Sequence, residues 1–427
     1  MDDLLHVPLE QDLIHHGRLD RQLRIDGWNQ PALEAATIGV VGDNDLLASL
    51  FLLSAAALGI NHVVVIAPVV DEVLVKVAKR VNSNFALTHI EGFYTHPILD
   101  EWFKGCGLIV DLSHFGLANK LCLEKGFNER IPIVRGFCYK DRGVQGFVVF
   151  TYVRGREWLE LERIVCANSF PGLHFDDGVF DTITAGIALE EVKNILMSKQ
   201  ISDTLITYAR KTEEHSHRSK ILVVGSGALG AFVGLGLAYS GFKHCTFLDP
   251  DRIELTNLNR QVLFYDAFGQ SKAVTLASRL RDFFGMDAVA RIAHFEEDTD
   301  ISPYDVVFDC VDNFESRIVL SEACRNQRKP LISGGTSADA GQVVVYDPTK
   351  NTGTPAELLG LYSIVGNRTK GRPVREKTSC TYQPDPSVIM TNQIIAGFMV
   401  DAYRALLGGQ EVGNIFYDST SSGRIQV

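Results

Sequence analysis

The stretch KILVVGSGALGAFVGLGLAYSGFKHCTFLDP, residues 220–250, decides the fold. It reads as an apolar strand, a G-x-G-x-x-G turn, a long apolar helix and a second apolar strand that ends in an acid. Gly225, Gly227 and Gly230 let a backbone turn approach a phosphate, and the helix that follows offers its positive N-terminal dipole. Taken alone, such a turn also serves plain helix–strand packing. Asp249 falls at the end of the second strand, where a carboxylate can hold ribose hydroxyls. The chain then continues as DPDRIELTNLNRQVLF, residues 249–264. A nicotinamide site has no need for that knot of amides and an arginine.

Working outward, the pattern occurs twice. TIGVVGDNDLLASLFLLSAAALGINHVVVIAP, residues 37–68, has the same strand–turn–helix–strand order. In GLIVDLSHFG and DVVFDCVDNF, Asp111 aligns with Asp309, and Gly136 and Gly334 each follow 25 residues later. A third block, DTITAGIALEEVKNILM, resembles MTNQIIAGFMVDAYRALL. Three matching blocks in one order indicate a duplication. Apolar β-branched runs alternate with helical patterns in each copy, which predicts an α/β fold of two tandem Rossmann-like units with mostly parallel sheets and helices on both faces. The expected division is 1–210 and 218–427, across the polar stretch KTEEHSHRSK (211–220). His215 and His217 in that stretch read as part of a solvated linker, since no third metal ligand is near.

The copies are chemically unequal. In the first, Asn44 and Leu47 stand where the second has Gly227 and Gly230. Ile66 and Ala67 lie near the position of Asp249, His114 stands opposite Asp312, and nothing matches NLNRQ. The first copy therefore reads as a structural partner and the second as the chemical one.

Bulk properties narrow the class. With 427 residues the chain exceeds one ordinary core, and 46% apolar and 22% charged residues suit a water-soluble globular protein. A net charge of −11 argues against a nucleic-acid-coating surface. The acidic start MDDLLHVPLEQDLIHHG lacks a signal-peptide pattern, and the run 46–60 is short for a membrane span, so the expected location is cytoplasmic. None of the eight cysteines forms a C-x-x-C pair, so no zinc site of that spacing is expected.

The combination GSGALG, DPD, NLNRQ, GQSKA and DCVDN resembles the adenylating domain shared by ubiquitin-activating enzymes and the ThiF and MoeB proteins, over most of residues 218–427. The first half, with RLDRQLRIDG at 18–27, resembles the inactive adenylation half of two-part ubiquitin-like activating enzymes. The chain thus looks like both halves fused into an intramolecular pseudodimer. The resemblance implies ATP and Mg²⁺ as reactants, with attack of a carboxylate on the α-phosphate. Asp249 would hold the ribose, Asn257 and Arg260 the phosphates with Gln261 nearby, and Asp312 the Mg²⁺. Lys272 would reach the phosphates as a point charge, although its spacing from Arg260 is slightly shorter than usual in that family. Arg21, with Arg18 as the weaker candidate, would be the arginine that completes the second half's site from the first. Replacing Arg21 by Ala should then cripple adenylation and leave folding intact.

Cys106, Cys138, Cys166, Cys245 and Cys310 lie in apolar or first-copy segments and read as packing. Cys380 differs. It lies in RPVREKTSCTYQPDPS, near Arg372, Arg375 and Lys377, which favour a thiolate. Its place resembles that of the family's acyl-accepting cysteine in a crossover loop, here about 351–381. The expected function is activation of a ubiquitin-like protein with a C-terminal glycine, by adenylation and then a thioester on Cys380, with a conjugating enzyme as next partner. The nearest alternative is a sulfur-carrier adenylyltransferase without thioester relay. A dehydratase-type relative, a binding scaffold and a nicotinamide oxidoreductase fit the residues less well. Neither nucleic acid nor membrane is an expected partner.

Overall fold

The computed structural model describes residues 10–43, 45–158, 173–174, 177–212, 216–350, 352–369 and 386–427. The chain begins with α1 (Glu10–Leu23) and α2 (Gln30–Ala35). It continues through β1 (Thr37–Gly42), α3 (Asp45–Leu58), β2 (His62–Ala67), α4 (Glu72–Val81), β3 (Ala86–Glu91), β4 (Leu108–Leu112) and α5 (Gly116–Glu129). Then come β5 (Ile133–Asp141), β6 (Val144–Tyr152), β7 (Leu173–His174), α6 (Gly178–Leu196) and β8 (Ile206–Lys211). A second series runs β9 (Lys220–Val224), α7 (Ala228–Tyr239), β10 (His244–Leu248), α8 (Lys272–Phe284), β11 (Asp287–Arg291) and β12 (Val306–Asp309). It ends with α9 (Phe314–Asn326), β13 (Leu331–Thr336), β14 (Ala340–Tyr346), α10 (Pro355–Leu358), α11 (Leu361–Thr369), α12 (Ile389–Leu407), β15 (Ile415–Asp418) and β16 (Ile425–Gln426).

The strands form two mixed, mostly parallel sheets. Their orders are β3-β2-β1-β4-β5-β6-β8, with β7 on β5, and β11-β10-β9-β12-β13-β14-β15-β16. The first five strands of each order are parallel and the rest antiparallel. Parallel strands covered on both faces read as continuous apolar runs, which is why ILVV at 221–224 is fully buried. Strand order reverses between β1 and β4 and again between β9 and β12, so each sheet has a crevice at its carboxyl edge.

One apolar core joins the sheets. α6 packs on α12 and α3, and α12 packs on α7. Phe51 and Ile187 of the first series share a cluster with Phe232 and Phe398 of the second. The α6–α12 crossing is close because both helices carry a glycine there. A Cβ at Gly186 would lie 2.7 Å from Ile394 Cγ1, and one at Gly397 would strike Ile183. The apolar run 46–60 forms most of α3, where Leu50 to Leu53 have no exposed surface. Among the described residues no helix is long and apolar enough to cross a membrane.

Buried ion pairs tie the same helices. Arg404 on α12 reaches both oxygens of Asp177, the N-cap of α6, at 2.9 Å, and Asp401 at 2.9 Å. Arg210 on β8 also holds Asp401 (2.7 Å), while Arg424 near the C-terminus holds Glu191 on α6 (2.9 Å). Each series thus supplies an arginine to a long helix of the other. Burial opposes the charge of Asp401, yet the two guanidiniums keep its carboxyl below the usual range. Arg404→Met strands Asp177 in the core, so the urea midpoint should fall by an amount equivalent to about 3–5 kcal/mol.

Of the crossover region expected at about 351–381, residues 352–369 are described and 351 and 370–381 lie outside the described residues. Residues 355–369 contain α10 and α11. Thr354 and Glu357 form a reciprocal capping box, Pro355 occupies the first turn, and Arg325 pairs with Glu357. The segment's weak periodicity hid a helix start fixed by local caps.

Candidate active site

The second crevice is built on the glycine turn. Gly225 has φ +94° and donates its N–H to Leu248 O at 2.9 Å. A Cβ there would lie 2.6 Å from Cys310 O. A Cβ at Gly230 would collide with Gly225 O, which is backbone and cannot step aside. Gly230→Ala should therefore break the turn and lower stability by about 3 kcal/mol, read as a fall in the urea midpoint. Gly227 opens α7 without a side-chain cap, and a Cβ on it would meet only Gln261 Nε2, at 3.6 Å. The first-turn N–H groups of α7 thus have no side-chain acceptor at the cap, a setting suited to an anion.

Asp249 lies beyond β10, buried beside this turn. Its two oxygens accept from Ser226 N–H (2.6 Å) and Asp251 N–H (2.8 Å), which fixes the carboxylate and leaves lone pairs for further donors. Burial raises its pKa above the usual carboxylate range, and Lys272 opposes that shift. Lys272 opens α8 just after the N-cap Ser271, and its Nζ pairs with Asp251 at 2.9 Å.

The NLNRQ segment folds onto the same edge. Asn257 closes a short turn, accepting on Oδ1 from Glu254 N–H at 3.0 Å. It therefore shapes the loop that the sequence assigned to phosphate contact. Arg260 is buried and donates from Nη1 to Thr256 O (2.9 Å) and Asn259 Oδ1 (2.8 Å). Burial, then the nearby Arg21, push its pKa down to about 9, with Asp312 and Glu254 opposing. The guanidinium remains charged at neutral pH, and among the described residues no carboxylate lies within ion-pair distance of it. Gln261 is buried with Oε1 unpartnered, and Ser226 is buried with Oγ unpartnered. These orphaned polar atoms beside a helix start fit a polyanionic, hydroxyl-bearing ligand.

Arg21 arrives from the first series. Its helix α1 packs on the Leu255–Asn257 turn, where a Cβ at Gly17 would lie 2.6 Å from Leu255 Cδ2. Arg21 O accepts from Ser387 N–H at 3.4 Å, and the Arg21 charge acts on Arg260. Arg18, one turn earlier, is buried and donates to Ala57 O at the end of α3, where burial pushes its pKa down to about 10. The two arginines of RLDRQ thus part: Arg18 caps a helix, whereas the charge of Arg21 acts on Arg260. Asp312 is exposed between β12 and α9 and also acts on Arg260.

Sequence reasoning gave no role to Gln22, Asn259 or Arg317. Arg317 donates to Ser333 Oγ (3.1 Å), Val311 O (2.9 Å) and Gly334 O (2.8 Å), bracing the segment that carries Asp312. The aligned Asp309 and Gly334 were its only signal. In the first series, Asp43 accepts from His114 N–H and Leu47 is fully buried where the second has Gly230. His114 Nε2 meets Cys138 O.

Cys106, Cys138, Cys245 and Cys310 are buried, as are Cys122 and Cys324. Burial pushes the Cys106 thiol up to about 11 and Cys245 up to about 12, so neither is a ready thiolate. Cys380 and Cys166 lie outside the described residues, as do Arg372, Arg375 and Lys377. Among the described residues no group of three His, Cys, Asp or Glu side chains could hold a metal.

A glycine turn at a strand-order reversal, a fixed carboxylate just past the next strand and a buried guanidinium a few residues on mark a nucleotide-binding α/β protein. More specifically, the chain belongs to the ThiF family, whose pattern matches residues 197–422. It is 37% identical over 135 residues to "Adenylyltransferase and sulfurtransferase MOCS3" of Anopheles gambiae, covering 30% of this chain and 31% of that protein. It is 35% identical over 155 residues to "Molybdopterin-synthase adenylyltransferase" of Haemophilus influenzae, covering 35% and 64%. The chain thus spans about a third of the first relative and under two thirds of the second. E. coli MccB, in a crystal structure with MccA-N7isoASN, matches at 20% identity and TM-score 0.39 over 49% of this chain and 63% of that one.

Proposed function

We propose that the chain uses Mg-ATP to adenylate the C-terminal glycine carboxylate of a small sulfur-carrier or ubiquitin-like protein. The observation that carries this reading is the glycine turn with Asp249 hydrogen-bonded to Ser226 N–H and Gln261 against Gly227, next in sequence to the buried Arg260, on which the charges of Arg21 and Asp312 act. The adenylyltransferase names of its relatives support it.

In this account Asp249 accepts from the ribose hydroxyls. The α7 N-terminus, Gln261 and Asn257's loop line the phosphates. Arg260, Lys272 and Arg21 neutralise charge as it builds on the leaving group. Asp312 suits Mg²⁺, which takes one or two carboxylates and fills its remaining positions with phosphate and water. The carrier carboxylate forms an O–P bond to the α-phosphorus while the bond to the β-phosphate breaks and pyrophosphate leaves. The expected arrangement is a pseudo-twofold pair of units, 1–210 and 218–427, in which the first completes the second's site. The reciprocal α6–α12 contacts support that pairing. The protein works as a cytoplasmic enzyme in this account and needs no zinc.

A second reading extends the first. Cys380, close in sequence to three cations, takes the acyl group as a thioester, its Sγ attacking the acyl carbon as AMP leaves, and a conjugating enzyme accepts it next. The relatives' names favour adenylation of a sulfur carrier without this relay. Incubating the full chain with Mg-ATP and a candidate carrier, on non-reducing gels, separates the two. A thiol-sensitive adduct absent from Cys380→Ala establishes the thioester. Adenylate formation without that adduct leaves the sulfur-carrier reading, and no adenylate with any glycine-ended carrier overturns both.

A further inference from the structure

Arg260 is a buried cation held by neutral atoms, and the chain of hydrogen bonds behind it leads out of the second series altogether. Asn259, with no exposed surface, accepts on Oδ1 from Arg260 Nη1 at 2.8 Å. Its Nδ2 donates to Ser387 O and to Gln22 Oε1, both at 3.2 Å. Gln22, equally buried on α1, donates from Nε2 to Gln30 Oε1 (2.7 Å) and to Leu58 O (2.9 Å) at the end of α3. The chain therefore starts at a helix terminus of the first series and ends on the guanidinium of the second.

We propose that Gln22 and Asn259 form a two-amide relay that aims Arg260 at the phosphates, so the first half positions this residue by a route separate from Arg21. The proposal rests on the adenylation reading of the site. Both hydrogens of Gln22 Nε2 are committed to acceptors, so its oxygen must face Asn259. Both hydrogens of Asn259 Nδ2 are then committed as well, so its oxygen must face Arg260. Turning either amide over would set donor against donor. A neutral acceptor fixes the direction of the guanidinium without cancelling its charge, whereas a carboxylate at that place would hold it as an ion pair. Gln22 and Asn259 are positioning residues in this scheme.

The test is Mg-ATP binding to the full chain by calorimetry, without carrier, alongside melting temperatures. Gln22→Leu should weaken ATP binding about tenfold. In an Arg260→Ala background the same change should weaken it less than twofold, because the residue it acts through is gone. Asn259→Asp should weaken binding about a hundredfold, since the new carboxylate competes with phosphate for Arg260, and should also lower the melting temperature, because its second oxygen meets the acceptors Gln22 Oε1 and Ser387 O. Unchanged ATP affinity in Gln22→Leu, or an equal loss in both backgrounds, overturns the relay and leaves the adenylation reading standing. If Gln22→Leu does not fold, Asn259→Asp decides, and wild-type affinity in it overturns the relay. A wild-type chain that binds no Mg-ATP removes the adenylation reading and the relay with it.

Discussion

Arg260→Met lowers carrier-dependent ATP–pyrophosphate exchange by about a thousandfold while leaving the melting temperature equal to or above that of the wild type. The two halves of this expectation share one cause. The guanidinium is desolvated, feels the charge of Arg21 and, among the described residues, has only neutral acceptors. Its folded pKa lies below the unfolded one, so the charged form costs stability below about pH 9. That cost lifts as pH rises through 9. A residue retained against stability and aimed at an anion site earns its place through the ligand. Exchange assays with calorimetric melting check both parts. A large fall in melting temperature with parallel loss of exchange would recast Arg260 as a core residue.

Arg21→Ala should reduce exchange by about a hundredfold, with an unchanged melting temperature. Arg21 is half-buried at the end of α1, so its removal opens no large cavity. Arg18 provides the contrast. It is buried against the α3 terminus, and Arg18→Ala should destabilise the chain first and lose exchange only as a consequence. Opposite orders of effect at two arginines one helical turn apart would separate a site residue from a capping one.

Much of the second half was legible because its chemistry is local. Three glycines, an acid on the next strand and NLNRQ lie within 37 residues, Gly225 to Gln261, and backbone sterics demand glycine at 225 and 230. The duplicated order of strands was legible because parallel strands need apolar runs. What stayed hidden depends on long-range contact. Asn259 lay inside the quoted motif, yet its role comes from Gln22, 237 residues away. The split between Arg18 and Arg21 depends on where α3 ends in space. Asn257 was read as a phosphate contact, and nothing in the sequence showed that its side-chain oxygen also closes its own turn. Arg317 looked like any helix-surface arginine, because nothing local shows that Asp309, Ser333 and the backbone of Gly334 surround it.

The most direct test is ATP–pyrophosphate exchange by the purified full chain with Mg²⁺ and a panel of small proteins ending in glycine. Exchange that requires both Mg²⁺ and an intact carrier C-terminus, and that Arg260→Met removes, is the expected result. ATP binding without exchange for any carrier, or exchange that is indifferent to Arg260, would contradict adenylation at this site.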